Sequence, residues 1–180
     1  MHAAKFALSP AACLLAGALA MPAIAHAQAA AGPRPGANIS FEQAQRVVAA
    51  AVAYAQKLNK AMAIVVVDSG GQVVSGARMD GAPFGTFDVA RGKAIASVAT
   101  GGESGKALME RYKANPIVFG QISSLSYGGP MFPSQGSLPI FYNGILIGAA
   151  AGSGASSQID EDAAHAGIIA IGASESRPQP

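Results

Sequence analysis

Apolar positions in the first half of the chain predict a helix followed by two strands. Residues 41–58 carry apolar side chains at helical spacing, and Ser40 with Gln43 forms a capping-box pattern at their start. Residues 61–67 are apolar and rich in Val, without polar alternation, which predicts a buried strand. Asp68 and the glycines that follow turn the chain, so residues 72–79 are predicted to return as a second strand.

The middle of the chain predicts two helices and then a loop. A helical pattern begins at Thr86 and ends near Gly101. Ser104 predicts the N-cap of a shorter helix, which Pro116 ends because the residue before a proline disfavours the helical conformation. Residues 117–135 contain several glycines and prolines and are interpreted as a loop laid over a pocket.

A hairpin and a final helix are predicted in the last third. Two apolar runs flank Asn143-Gly144, which is typical of a type I′ turn. The second run, 145–151, lacks polar alternation and predicts a strand buried on both faces. A Gly/Ser-rich turn over 152–157 then opens a helix whose acidic residues at 160–162 complement the positive end of the helix dipole.

This order of elements predicts an α+β fold with a mainly antiparallel sheet flanked by helices. We assign the folded domain to residues 40–173. Residues 28–39 are rich in Ala, Gly and Pro and are interpreted as a flexible leader. Residues 174–180 are polar and predict a frayed tail.

The N-terminus has the pattern of a signal peptide. Lys5 precedes an Ala/Leu-rich stretch at 6–24, and the small-x-small motif at 25–27 predicts cleavage before Gln28. We therefore interpret residues 1–27 as a signal peptide and expect a periplasmic or secreted protein. Two prolines interrupt the apolar stretch, so stable membrane insertion is not expected.

Composition narrows the classes of function. Apolar residues make up 51% and charged residues 12%, which is typical of a globular chain. The formal net charge of +2 comes without a basic run, so nucleic-acid binding is not expected. Cys13 and two of the three histidines lie in the predicted signal peptide. The mature chain would then have no thiolate site, and His165 would be its only histidine, which excludes a multi-histidine metal cluster.

Several short motifs, in order, resemble those of the GlcG/HbpS family, the haem-degrading-domain family that includes the C-terminal domain of PduO-type proteins. They are VVDSGG at 66–71, RMDGA at 78–82, ARGKA at 90–94, GSLPI at 136–140, NG at 143–144, IGA at 147–149 and DED at 160–162. The resemblance implies a profilin-like fold, assembly into a homo-oligomer, and haem or a related tetrapyrrole as a cofactor. Two small-residue turns, at 136–137 and 151–155, depart from the family's usual glycines but remain small.

Two cations are candidate cofactor-binding residues. Arg78 offers a planar fork of donors that suits a carboxylate, including a haem propionate or a small organic acid. Alternatively, Arg78 forms an ion pair with Asp80 or Asp88 that stabilises the first hairpin. Lys93 could meet the same anionic ligand, or it could lie on a solvated helix face.

His165 is the candidate metal ligand and, with Glu161, the candidate catalytic residue. Given the resemblance, its imidazole could be an axial haem ligand or an acid/base. Glu161 lies one helical turn earlier and could orient the ring. The alternative is a surface histidine that merely pairs with Glu161. Other possible ligands are Tyr54, Tyr112, Tyr127, Tyr142, Met79 and Met109.

These observations leave three functional hypotheses. The first is an exported haem-binding protein, with slow haem degradation as an accompanying activity. The second is an enzyme or accessory factor for a small hydroxy or oxo acid, in which Arg78 holds the carboxylate while His165 and Glu161 move a proton. The third is a non-catalytic periplasmic ligand sensor or structural oligomer.

Overall fold

The computed structural model describes residues 38–124 and 129–177. The predicted signal peptide at 1–27, the leader up to residue 37 and Tyr127 lie outside the described residues. The last three residues of the predicted tail do so as well.

Five helices and four strands make up the described chain. The helices are α1 Phe41–Lys57, α2 Thr86–Ala99, α3 Gly105–Ala114, α4 Pro116–Ser124 and α5 Ser157–Ile169, and the strands are β1 Ala63–Asp68, β2 Val73–Arg78, β3 Ser137–Tyr142 and β4 Ile145–Ser153. The strands form one sheet in the order β2-β1-β4-β3, and each neighbouring pair is antiparallel. The predicted α+β fold with an antiparallel sheet flanked by helices is confirmed.

Alternation along β1 divides the interior into two cores. Ile64 and Val66 pack with α1 and α5 on one face of the sheet. Ala63, Val65 and Val67 pack with α2 on the other face, together with a few side chains from α3 and α4. Both central strands are therefore covered on both sides, which explains why their sequences are continuously apolar.

Local signals in the sequence form as predicted at two element boundaries. Ser40 accepts a hydrogen bond from the backbone of Gln43 at 3.2 Å, and the Gln43 side chain accepts one from the backbone of Ser40 at 3.0 Å. Asn143 and Gly144 have φ angles of 50° and 78°, as a type I′ turn requires. These contacts fix where α1 begins and how β3 and β4 align.

The predicted loop over 117–135 is wrong in its first part, because α4 occupies Pro116–Ser124. Pro116 takes the first helical position, where its missing N–H costs nothing. The Asn115 side chain accepts a hydrogen bond from Val118 N at 3.5 Å. The same Asn-Pro pair therefore ends α3 and begins α4.

The predicted flexible leader does not extend to Ile39. This side chain is buried in the core under α1 and α5, and its backbone N–H donates to the carbonyl of Ile147 at 2.9 Å. Asn38 accepts from the backbone of Ser69 at 3.3 Å. The ordered domain therefore starts before the helix cap.

Candidate functional site

His165 lies on α5 with half of its side chain exposed, and it is paired with a carboxylate. Its Nδ1 is 2.8 Å from Oε2 of Glu175, whose side chain is 43% exposed. An ionised carboxylate can only accept, so Nδ1 carries the proton in this contact. Within the described residues Nε2 forms no hydrogen bond, so this nitrogen is available to a ligand.

The partner of His165 is not the one predicted from helical spacing. Glu161 accepts from the Gln135 side chain at 3.3 Å, and its other carboxylate oxygen is buried without a partner among the described residues. The structure therefore attaches Glu161 to the segment before β3 and leaves the orientation of His165 to Glu175.

Backbone pairing brings Glu175 to this position. Ser174 exchanges two hydrogen bonds with Phe141 of β3, at 2.7 and 2.9 Å. The guanidinium of Arg177 lies 5.7 Å from the centre of the Phe141 ring, within the range of a cation–π contact. The predicted fraying of the tail is wrong for residues 174–177, because they are tied to the edge of the sheet.

Lys93 is buried and paired, so the prediction of a solvated helix face is wrong. Its Nζ lies 2.8 Å from Oδ2 of Asp160 and donates to the carbonyl of Gly152 at 3.1 Å. Both charged side chains are at most 5% exposed. The other oxygen of Asp160 accepts from the backbone of Ala155 at 3.1 Å. Lys93 therefore joins α2 to the start of α5 and does not present its ammonium to a ligand on the surface.

Arg78 is exposed at the end of β2, and its guanidinium donates to the carbonyl of Ala82 at 2.6 Å. It contacts this carbonyl and not Asp80 or Asp88, so the alternative ion pair is absent among the described residues. A shallow depression of about 470 Å³ adjoins it, lined by Val52, Gln56, Ala77, Arg78, Met79 and Asp80. Arg78 could still bind an acid here.

Arg78 and His165 lie at opposite edges of the sheet. Arg78 ends β2, one edge strand, whereas His165 contacts the tail segment that pairs with β3, the other edge strand. The structure therefore does not bring these two predicted residues into one pocket.

Tyr54 and Tyr112, two of the other possible ligands, differ in their surroundings. Tyr54 donates to Asp162 at 3.3 Å, and partial burial, the negative charge of Asp162 and this hydrogen bond together raise the pKa of Tyr54 above its ordinary value. This opposes formation of the tyrosinate that would bind iron. Tyr112 borders a mostly apolar depression of about 370 Å³, lined by Tyr112, Ser123, Met131, Phe132, Pro133 and Ser134.

In the part of the chain that the structure describes, no three metal-binding side chains come together. Among the same residues, no helix combines the length and the apolar character needed to cross a bilayer. A metal that arrives inside its own macrocycle needs only one or two protein donors.

Comparison with known proteins identifies the family. Residues 39–169 match the family described as haem degrading protein HbpS-like, and because this stretch is well over half of the chain, the chain belongs to that family. No curated protein sequence gives a significant match.

Solved structures agree in fold. The PduOC:haem complex is 28% identical with a TM-score of 0.68, over 78% of this chain and 99% of that chain. A double mutant of HbpS from Streptomyces reticuli is 25% identical with a TM-score of 0.66, over 79% and 97%. Protein ORFY of Klebsiella pneumoniae, at 23% identity and a TM-score of 0.68 over 79% and 96%, shares the fold.

No motif or spacing in the sequence identifies Glu175 as the partner of His165. The two residues are ten positions apart, and their contact depends on pairing between Ser174 and Phe141. The pairing of Lys93 with Asp160, 67 positions away, was likewise missed. The only available signal was that a lysine on a buried helix must find a carboxylate.

Proposed function

We propose that this protein binds haem and that Nε2 of His165 is a ligand of the iron. The observation that carries the proposal is the contact between Nδ1 and Glu175, which leaves Nε2 accessible on a half-exposed side chain. Metal-binding histidines usually have their second nitrogen held by a carboxylate or carbonyl in this way. Membership of the HbpS-like family and the similarity to the PduOC:haem complex support haem as the bound cofactor.

The donor set fits this cofactor. Haem brings four equatorial nitrogens, so a single imidazole from the protein satisfies an axial position. Haem degradation is part of the proposal: the bound iron would supply the oxidative chemistry, and this chain would supply ligation and position. Glu161 forms no hydrogen bond with His165 in the structure, so we assign it no role in moving a proton.

Arg177 is our candidate for a propionate contact. The tail that carries Glu175 also brings this guanidinium to the β3 edge. The ammonium of Lys93 is already paired with Asp160 in the interior, and Arg78 lies at the opposite edge of the sheet. We therefore expect Arg177→Ala to weaken haem binding more than Arg78→Ala does, because a lost charge-assisted contact weakens binding only where the ligand lies.

A haemin titration followed by absorbance tests the proposal, with His165→Ala and Tyr112→Phe as paired variants. We expect a saturable Soret shift in the wild-type protein and in Tyr112→Phe, and a displaced or absent shift in His165→Ala. If the Soret shift is unchanged in His165→Ala but lost in Tyr112→Phe, the iron binds in the apolar depression beside Met131 instead. A featureless spectrum in the wild-type protein would overturn haem binding.

Export and self-assembly complete the proposal. The signal-peptide pattern over residues 1–27 supports a periplasmic or secreted location, and a mature N-terminus at Gln28, read by mass spectrometry of the expressed protein, tests it. We also propose a homo-oligomer from the family resemblance, and apolar side chains such as Phe84 and Ile117, which are 89% and 75% exposed in the chain alone, are candidates for its interface. Light scattering of the purified protein tests that assembly.

A small hydroxy or oxo acid as substrate receives less support. That hypothesis needs Arg78 and His165 in one site, and they lie at opposite edges of the sheet. A carboxylate bound beside Arg78 would not have the imidazole of His165 within reach to move its proton.

A further inference from the structure

The side chain of His165 is held by a residue from outside the segment that matches the family. The match ends at residue 169, the last residue of α5, whereas the carboxylate that contacts Nδ1 belongs to Glu175. Glu175 lies in residues 170–177, which follow the matched segment and are called the C-terminal extension here.

Hydrogen bonds on both sides of Glu175 hold the C-terminal extension next to His165. Ser174 pairs with Phe141 through two backbone hydrogen bonds, and its side chain donates to the carbonyl of Ser176 at 2.8 Å. The residue between them is Glu175. Its backbone is thus anchored on both sides, which limits the positions that its carboxylate can take.

The other carboxylates of α5 are already engaged. Asp160 accepts from Lys93, Glu161 accepts from Gln135, and Asp162 accepts from Tyr54 and from Gln158. Glu175 is therefore the carboxylate that sets the orientation of the imidazole among the residues that the structure describes.

We infer that Glu175 is a positioning residue for His165: it selects the Nδ1–H tautomer and so presents the Nε2 lone pair outward. Which imidazole nitrogen is free to bind a metal depends on the hydrogen bond that the other nitrogen makes. A carboxylate acceptor also increases the electron donation of the ring to a bound metal. The part of this inference that concerns iron rests on the proposed function, whereas the part that concerns the tautomer does not.

The contact is suited to orientation more than to stability. Its two side chains are 50% and 43% exposed, and ion pairs this exposed contribute little to folding. Glu175→Ala should therefore unfold at the same denaturant concentration as the wild-type protein. Glu110→Ala is the matched control, because it removes a carboxylate from another exposed pair, the one with Lys113.

The first experiment uses the haem-free protein. Nitrogen-15 NMR of the His165 ring in mildly alkaline buffer, assigned by comparison with His165→Ala, should show the Nδ1–H tautomer in the wild-type protein and in Glu110→Ala. Glu175→Ala should shift the ring toward the Nε2–H tautomer. Glu175→Gln should keep the Nδ1–H form, because an amide oxygen still accepts. The same tautomer in Glu175→Ala and the wild-type protein would overturn the inference.

The second experiment measures haemin affinity in the same variants. Loss of a partner of this kind typically weakens metal binding by about 10–100-fold, so we expect that loss in Glu175→Ala and none in Glu110→Ala. A tautomer change without loss of affinity would overturn the role toward iron. If the wild-type protein fails to bind haemin, the proposed function fails, and the tautomer result still decides whether Glu175 positions the ring.

Discussion

Nζ of Lys93 lies 2.8 Å from Oδ2 of Asp160, and this ion pair joins α2, on one face of the sheet, to α5, on the other. The ammonium also donates to Gly152 near the end of β4. The pair therefore links the two helices beside the end of β4 and fixes where α5 begins.

We predict that Lys93→Met destabilises the protein strongly. The substitution leaves Asp160 as a buried carboxylate without its counter-charge, and removal of one partner from such a pair costs about 3–5 kcal/mol. Denaturant unfolding measures the change. Lys113→Met is the matched control, since Lys113 and its partner Glu110 are 60% exposed and the loss should be about 1 kcal/mol or less.

The double variant Lys93→Met/Asp160→Asn should recover part of that loss, because it removes both charges together. Equal stability of Lys93→Met and Lys113→Met would show that the buried pair does not stabilise the fold.

Gly136 should not tolerate alanine. Its φ of 118° disfavours any other residue, and a Cβ there would lie 2.7 Å from Nζ of Lys93 and 2.8 Å from Cβ of Asp160. Gly101→Ala is the control, because Gly101 also has a positive φ, 81°, but no atom lies within 4 Å of the added Cβ.

Both alanine variants should lose about 1–3 kcal/mol to backbone strain, and Gly136→Ala should lose about 1–3 kcal/mol more to overpacking. Thermal and denaturant unfolding measure both losses. Matching losses in the two variants would mean that the ion pair moves aside at no cost.

Tyr54 should make stability depend on alkaline pH. Because partial burial and Asp162 raise its pKa in the folded state, folding favours the neutral phenol. This contribution is complete below about pH 10, the ordinary value for tyrosine, and is lost as pH rises through the higher folded-state value. Tyr54→Phe should remove this loss, which unfolding curves at successive alkaline pH values measure. An identical alkaline decline in both proteins would contradict the assignment.

Elements with local signals were predictable from the sequence. The capping box at Ser40 and the hairpin at Asn143-Gly144 each depend on residues within a few positions of one another, so the sequence contains the whole interaction. By contrast, the pair Asn115-Pro116 predicted only the end of α3. A proline after a capping side chain also starts a helix, and that second meaning gives α4.

The candidate site was predictable only in part, because its contacts are tertiary. His165 was found as the one imidazole of the predicted mature chain, but helical spacing gave it Glu161 as a partner. Strand-like pairing between Ser174 and Phe141 supplies Glu175 instead. The prediction that Lys93 lies on a solvated helix face was wrong because α2 is buried on most of its surface. A helix with one solvated face has a single apolar stripe, and α2 lacks such a stripe.

The most direct test of the account is pulsed electron–nuclear double resonance on the haemin-loaded protein, with its histidines labelled with nitrogen-15. The account predicts a strong coupling between the iron and one labelled imidazole nitrogen, and its loss in His165→Ala. Haemin bound at a saturable site with no labelled nitrogen coupled to the iron would contradict the assignment of His165 as ligand.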